Sequence, residues 1–454
     1  MSQPTTSTTA LGTQSIRKLL TQYSVPAIIA MTASSLYNMV DSIFIGQGVG
    51  PLAISGLAVT FPLMNLSAAF GAMVGVGAST LLSVKLGQRD YATAQNILGN
   101  VVTLNTIIGV LFGALMLLFL DPILYFFGAS DATISYARDF MEVILMGNVV
   151  THMYLGLNAM LRSAGHPQKA MYATVSTVII NIILAPLFIY VFGMGIRGAA
   201  LATVLAQMVA LSWQFRIFTD KRELIRLRQG TFKLQRKIVT NSLAIGLSPF
   251  LMNLCACVVV ILINQGLQTH GGDLAIGAYG IVNRIVFFFV MIVMGLNQGM
   301  QPIAGYNFGA CQYDRVNTVL KYTIIAATLV MTFGFLIGQF IPHIVVRAFT
   351  TDSELIRLSV DGMRLVMIFF PIIGFQMVTT NFFQSIGMAK KSIFLSLTRQ
   401  LLFLIPLLLT LPHFFGQKGV WLSMPIADFT ASLIAGWMLY RQFRQFRQKR
   451  EATL

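Results

Sequence analysis

The chain has 454 residues, of which 56% are hydrophobic and only 10% charged, and its mean hydropathy is +0.75. A soluble domain carries about 25% charged residues, so this composition excludes a water-soluble globular fold. The net charge of +16 raises nucleic acid as a partner, but its distribution along the chain argues against one.

In chain order, residues 1–22 are polar and read as a cytoplasmic N-terminal segment. No short apolar stretch followed by a small-residue cleavage site occurs there, so no removable signal is expected. Apolar runs near 20 residues then recur, each long enough to cross ~30 Å of hydrocarbon as a helix. The predicted spans are 23–47, 53–82, 95–120, 134–160, 170–192, 196–218, 240–268, 274–304, 318–341, 355–382, 392–412 and 419–440. The alternation of a membrane β-barrel is absent. The fold class is therefore all-α integral membrane with twelve transmembrane helices. The first six (23–218) and last six (240–440) form two lobes. Between them lies a basic linker, 219–239, whose partly amphipathic pattern suits a helix on the membrane surface. A basic tail, 441–454, closes the chain.

Most of the 31 Lys and Arg residues fall at alternate loops: Arg17 and Lys18, Lys85 and Arg89, Arg162 and Lys169, the 216–237 stretch, Arg315 and Lys321, Lys390 and Lys391, and the tail. This is the positive-inside asymmetry. It places both termini in the cytoplasm and makes anionic lipid, rather than nucleic acid, the partner of the basic segments. Cys255, Cys257 and Cys311 have neither disulfide nor zinc spacing.

The halves repeat at an offset of about 222 residues. Leu52-Ala53-Ile54 matches Leu274-Ala275-Ile276, and Gly77, Gly87, Tyr91, Gly165 and Lys169 match Gly299, Gly309, Tyr313, Gly387 and Lys391. Pro26 matches Pro249, and Asp41 falls on Asn264. An even number of spans per half makes the repeat parallel. Two parallel halves in one chain favour a carrier working as a monomer over a pore built by several subunits.

An ionisable group inside a span needs a reason, because it costs ~2.5–3.5 kcal/mol at the bilayer centre on insertion scales. The second half holds Arg284, Asp361, Arg364, Arg399 and Asp428. Asp361 and Arg364 lie three apart on one helix face, and Arg399 and Asp428 reach similar depths. The expectation is a polar network of ion pairs, or alternatively an anion contact or gate. In the first half Asp41 stands apart, with no Lys or Arg in the core of its six spans. It could take up a proton or bind Na⁺. Tyr37, Asn38 and Ser34 share its face, and Asn181, Thr203 and Gln207 lie on other helices of the same half. The candidate substrate cavity is Tyr37, Asn38, Asn158, Asn181 and Gln207. Pro26 is a candidate hinge in the Asp41 helix. The 24 Met and 34 Phe residues could supply an adaptable apolar surface for varied ligands. No Walker A, G-x-S-x-G or H-E-x-x-H motif occurs, so neither an enzyme nor a cofactor is expected, and transport must draw on an ion gradient or be passive.

Three stretches carry a family resemblance. Tyr37–Gly46 (YNMVDSIFIG) resembles the first-helix motif of the MATE (multidrug and toxic compound extrusion) family, Asn181–Phe188 (NIILAPLF) its fifth-helix motif, and Gln301–Ala310 (QPIAGYNFGA) its eighth-helix signature. The chain is most similar to the DinF-like and MepA-like bacterial members. The resemblance implies a V-shaped pair of six-helix lobes in the bacterial inner membrane. It also implies export of bulky, often cationic small-molecule drugs in exchange for H⁺ or Na⁺. It assigns ion coupling to Asp41, with Asn181, Thr203 and Tyr37 around it, and helix bending to Pro26. Na⁺, if it were the ion, would lie at Asp41, Asn181 and Thr203. One departure matters: Ala185 stands where related members often carry an Asp, which favours H⁺ as the coupling ion. The competing expectations are a flippase for lipid-linked precursors within the same superfamily and a passive channel.

Overall fold

The computed structural model describes residues 6–453, so the first five residues of the expected N-terminal segment lie outside the described region. The helices are α1 (Thr6–Thr13), α2 (Ile16–Gly48), α3 (Pro51–Gly87), α4 (Tyr91–Leu118), α5 (Leu120–Phe126), α6 (Ile134–Met146), α7 (Asn148–Ser163), α8 (Pro167–Val191) and α9 (Ile196–Phe218) in the first half. In the second they are α10 (Arg236–Gly272), α11 (Leu274–Gly309), α12 (Tyr313–Phe340), α13 (Pro342–Arg347), α14 (Ser353–Val366), α15 (Phe370–Ser385), α16 (Ala389–Phe415) and α17 (Gln417–Thr453). Among the described residues ten helices are long and apolar enough to cross a membrane, and two bent pairs bring the number to twelve.

Those pairs correct the reading of spans four and ten as single rods. α6 meets α7 at 57°, and α14 meets α15 at 55°. The first break falls at Gly147, where an added Cβ would come within 2.7 Å of Val204, so only glycine lets α9 approach the bend so closely. The second precedes Pro371 in the first turn of α15. Its missing N–H and its ring prevent the ladder from continuing out of α14.

The repeat is written into the backbone. Positive φ recurs at matched positions: Gly50 (125°) and Gly272 (70°), Arg89 (59°) and Cys311 (59°), Gly165 (93°) and Gly387 (79°), Gly195 (63°) and Gly416 (64°). L-residues rarely adopt this conformation, so its presence at the same turns of both halves marks the duplicated six-helix design. The two halves differ in their π-helical turns, which lie at Leu187–Val191 in α8 and Thr398–Leu404 in α16.

The chain forms two compact units. The first comprises the described residues up to Gln14 together with Val25–Phe250, and the second Ser15–Ser24 with Leu251–Leu454. The break at Gln14/Ser15 falls between α1 and α2, and those at Ser24/Val25 and Phe250/Leu251 fall within α2 and α10, beside the repeated prolines Pro26 and Pro249. Inside the first unit, a Cβ on Gly77 would lie 1.7 Å from the Ser242 carbonyl oxygen. Inside the second, one on the matching Gly299 would lie 2.2 Å from Ser24 Oγ. Glycine thus permits a close helix crossing at the equivalent place in each unit.

The linker departs most from expectation. Residues 219–235 are turns and coil, with no surface helix. They are held instead by α4. Asn100 Nδ2 donates to the carbonyls of Thr231 (3.3 Å) and Lys233 (3.2 Å), and Asn100 Oδ1 accepts from Gln235 N (2.8 Å). Thr103 Oγ1 donates to Phe232 O (2.6 Å), and Gln95 Oε1 accepts from Arg226 N (3.2 Å). Side chains that satisfy extended backbone groups compete directly with helix formation.

Candidate functional site

The first-half site forms where α2, α8 and α9 meet. Asn181 Nδ2 donates to Tyr37 Oη (2.8 Å) and to Thr203 Oγ1 (2.9 Å), and Tyr37 Oη lies 2.6 Å from Thr203 Oγ1. Thr203 Oγ1 in turn donates to Ala199 O, which leaves Tyr37 as the donor in that last contact. The triad is therefore closed upon itself, except for Asn181 Oδ1, which is buried without a partner.

Asp41 lies one helical turn beyond Tyr37, close enough to act on it electrostatically. It is 8% exposed, and its Oδ1 has no hydrogen-bond partner. One turn further on, Ile45 enters an apolar cluster with Ala53, Ile189, Ala199 and the fully buried Ala185. Ala185, where the family resemblance leads one to expect an acid, is here part of that hydrophobic packing. The pocket thus offers one carboxylate against an apolar wall.

The other expected cavity residues do not join the triad. Asn38 is exposed. Gln207 Oε1 accepts from Thr151 Oγ1 (2.6 Å), and Asn158 Nδ2 donates to Thr174 Oγ1 (2.9 Å). Pro26 sits inside a continuous α2.

In the second half, Arg399 and Asp428 come together through Arg399 Nε and Asp428 Oδ1, with Asp428 buried. Arg399 lies in the π-helical turn of α16. Asp361 and Arg364 are not brought together. Both are exposed on α14, Asp361 acts electrostatically on Arg357, and the Arg364 carbonyl accepts from Gln339. Arg284 is exposed on α11.

Several polar contacts escape a sequence reading. Arg197 bonds both Asp139 (3.0 Å) and Glu142 (3.3 Å). His152, fully buried, sits 2.8 Å from Ser67 O, and Ser67 Oγ donates to Asn148 Oδ1 (2.5 Å). The spacing of Asn148 and His152 marks one helix face, but nothing in the sequence singles out Ser67 as the partner. At the end of the lobe that carries the linker, Glu223 bonds His166 Nε2 (2.7 Å) and lies 3.7 Å from Lys169 Nζ. The His166 hydrogen bond holds the Glu223 carboxyl below its usual range.

Comparison with known proteins agrees with this architecture. The MatE family model matches residues 26–187 and 244–410. The multidrug export protein MepA of Staphylococcus haemolyticus is 27% identical over 426 residues, covering 94% of each chain. Among solved structures, the MATE multidrug transporter DinF-BH in complex with rhodamine 6G shares 35% identity at a TM-score of 0.88, covering 95% of this chain and 96% of that one. A MATE structure in a bent conformation gives a TM-score of 0.93 at 25% identity, covering 98% of this chain and 99% of that one. A MATE mutant with its Pro26 changed to alanine gives 0.92 at 25% identity, with 98% and 100% covered.

Proposed function

The chain belongs to the MatE family, and we propose that it is a secondary antiporter that exports bulky cationic amphipathic drugs in exchange for H⁺, with Asp41 as the coupling residue. The drug class follows the MepA relatives and the rhodamine complex of DinF-BH. The carrying observation is the state of Asp41: buried, with an unpartnered carboxylate oxygen and, among the described residues, no ion pair. A carboxylate so placed is stabilised by taking up a proton or a cationic ligand. Proton and drug can then compete for the same charge, which is the minimum an exchanger requires.

The oxygen inventory favours H⁺ over Na⁺. Hard cations take about six oxygen ligands or more in well-formed protein sites. Here Tyr37 and Thr203 already face the Asn181 amide donor. Among the fully buried oxygens of the pocket, Asp41 Oδ1 and Asn181 Oδ1 lack partners, and Ala185 supplies none. A proton needs one acceptor. The protein acts as a monomer in the bacterial inner membrane. Both termini and the linker face the cytoplasm, following the basic loops.

The test is exchange in proteoliposomes under an imposed pH or Na⁺ gradient. Asp41→Asn is expected to insert normally and to lose pH-driven drug exchange. Wild-type exchange by that variant refutes the proposal, and drive by Na⁺ alone refutes the choice of ion.

A further inference from the structure

A row of polar side chains continues from the Asp41 pocket toward the end of the same lobe that carries the linker. On α8, Thr177 and Thr174 follow Asn181 at spacings of four and three, so all three lie on one face. On α7, Tyr154, Asn158 and Arg162 recur every four residues. The two stripes meet. The Tyr154 hydroxyl lies beside Thr174 and Thr177, near enough to act with both, and Asn158 Nδ2 donates to Thr174 Oγ1. Gln214 of α9 closes the third side, its Nε2 donating to Tyr154 O (3.4 Å).

This row is incompletely satisfied. Asn181 Oδ1, Asn158 Oδ1, Gln214 Oε1 and Arg162 Nε are all buried without hydrogen-bond partners. Asn158 is 9% exposed, Asn181 1% and Gln214 0%. Buried polar atoms rarely stay unpaired, and a run of orphaned acceptors and donors between helices is the usual setting of internal water. From Asn181 to the first turn of α8 the distance along the helix is about 20 Å, and no carboxylate interrupts it. Besides Asp41 and Tyr37, Tyr154 and Arg162 lie within the row and His152 turns toward Ser67 of α3, while Tyr172 and Tyr190 of α8 are exposed and Arg197 of α9 pairs with Asp139 and Glu142 of α6. Lys85 is paired with Asp90 past the end of α3, Arg216 is exposed on α9, and His166, Lys169 and Glu223 form the mouth.

We infer that α7, α8 and α9 enclose a hydrated polar seam that carries the coupling proton between the Asp41 pocket and the linker-bearing end of the lobe. It rests on the reading of Asp41 as the coupling acid. Water held by the orphaned groups and the hydroxyls of Thr177, Tyr154 and Thr174 passes the proton along. Each hydroxyl accepts one proton and releases another, so no group changes its net charge. Arg162 stands nearest the mouth and acts on Tyr154 electrostatically. Its fixed charge raises the barrier to every cation, the proton included, so it throttles passage along the seam and keeps it from becoming an open leak.

The experiment uses the full chain in liposomes with an internal pH dye and a cationic rhodamine as transported probe. Thr174→Val and Gln214→Leu are each expected to slow pH-driven exchange roughly fivefold, the rate equivalent of one lost hydrogen bond. Rhodamine affinity should stay within about twofold, while Thr174→Ser keeps the wild-type rate and Arg162→Gln raises proton leak without probe. In the wild type, hydroxyl-radical footprinting, which marks side chains beside bound water, should label Tyr154. If Asp41→Asn exchanges like the wild type, the coupling reading itself falls. If Asp41→Asn is inactive while Thr174→Val and Gln214→Leu match the wild type, or if Tyr154 goes unlabelled, the seam alone is overturned.

Discussion

Asn100 clasps the linker to α4, and Asn100→Leu should release it. The residue is 2% exposed, and its amide meets three backbone groups of residues 231–235. The two Nδ2 hydrogens are also shared with Asn96 O (2.8 Å), so the substitution removes the equivalent of two to three linker bonds rather than a larger number. At 0.5–1.5 kcal/mol net for each bond, docking weakens by about 2–3 kcal/mol, or roughly 30- to 150-fold in the local opening equilibrium. Leucine is close in size to asparagine, so packing against the helix is largely retained. Amide hydrogen exchange of residues 226–235 reads this equilibrium directly, and tryptic cleavage at Arg226, Arg228 and Lys233 reads it independently. Exchange should accelerate there while the α7–α8 region keeps its protection. Unchanged protection of 226–235 would mean that the close seat of Thr231 on Gly99, where a Cβ would lie 2.2 Å from the Thr231 carbonyl oxygen, holds the linker without the amide.

Three further outcomes are expected. The His166 bond depresses the Glu223 carboxyl, so this contact contributes stability above the ordinary carboxylate range, near 4.3, and loses it as pH falls through the lower folded value. Tryptic-site protection of the linker, read by exchange, should therefore drop only under acidic conditions, and Glu223→Gln should abolish the pH dependence. Removing Arg399 strands the buried Asp428 charge and should cost about 3–5 kcal/mol, and removing Asp428 costs less because Arg399 is partly exposed; the single variants Arg399→Met and Asp428→Leu should lower the melting temperature in detergent, while the double variant recovers most of it. Gly77→Ala forces its Cβ to 1.7 Å from the Ser242 carbonyl and should sharply reduce folded yield, whereas Gly280→Ala, with open space around it, should express like the wild type.

Membrane spanning, the duplicated design and Asp41 as the outstanding acid were legible in the chain itself. Each rests on a property of the covalent sequence. Runs of about 20 apolar residues can be satisfied only as helices in lipid. Glycines recurring near offset 222 recur because the same positive-φ turns need them, as Gly50 and Gly272 or Gly165 and Gly387 attest. A carboxylate deep in a span, in a half whose span cores hold no Lys or Arg, is conspicuous from its position in the sequence alone. What the tertiary structure decided is which polar groups meet. Asp361 and Arg364 have ideal spacing, yet both are exposed and no ion pair joins them. Arg197 instead reaches acids more than fifty positions away. The linker pattern suits a helix, but the side chains of Gln95, Asn100 and Thr103 satisfy its backbone first. Asn158, grouped by residue type with the Tyr37 pocket, is bound to Thr174 in the seam. Hydrophobicity is additive along a chain, so sequence reports it. A hydrogen bond depends on two atoms meeting within about 3 Å, and only the packing of α7, α8 and α9 determines which atoms do.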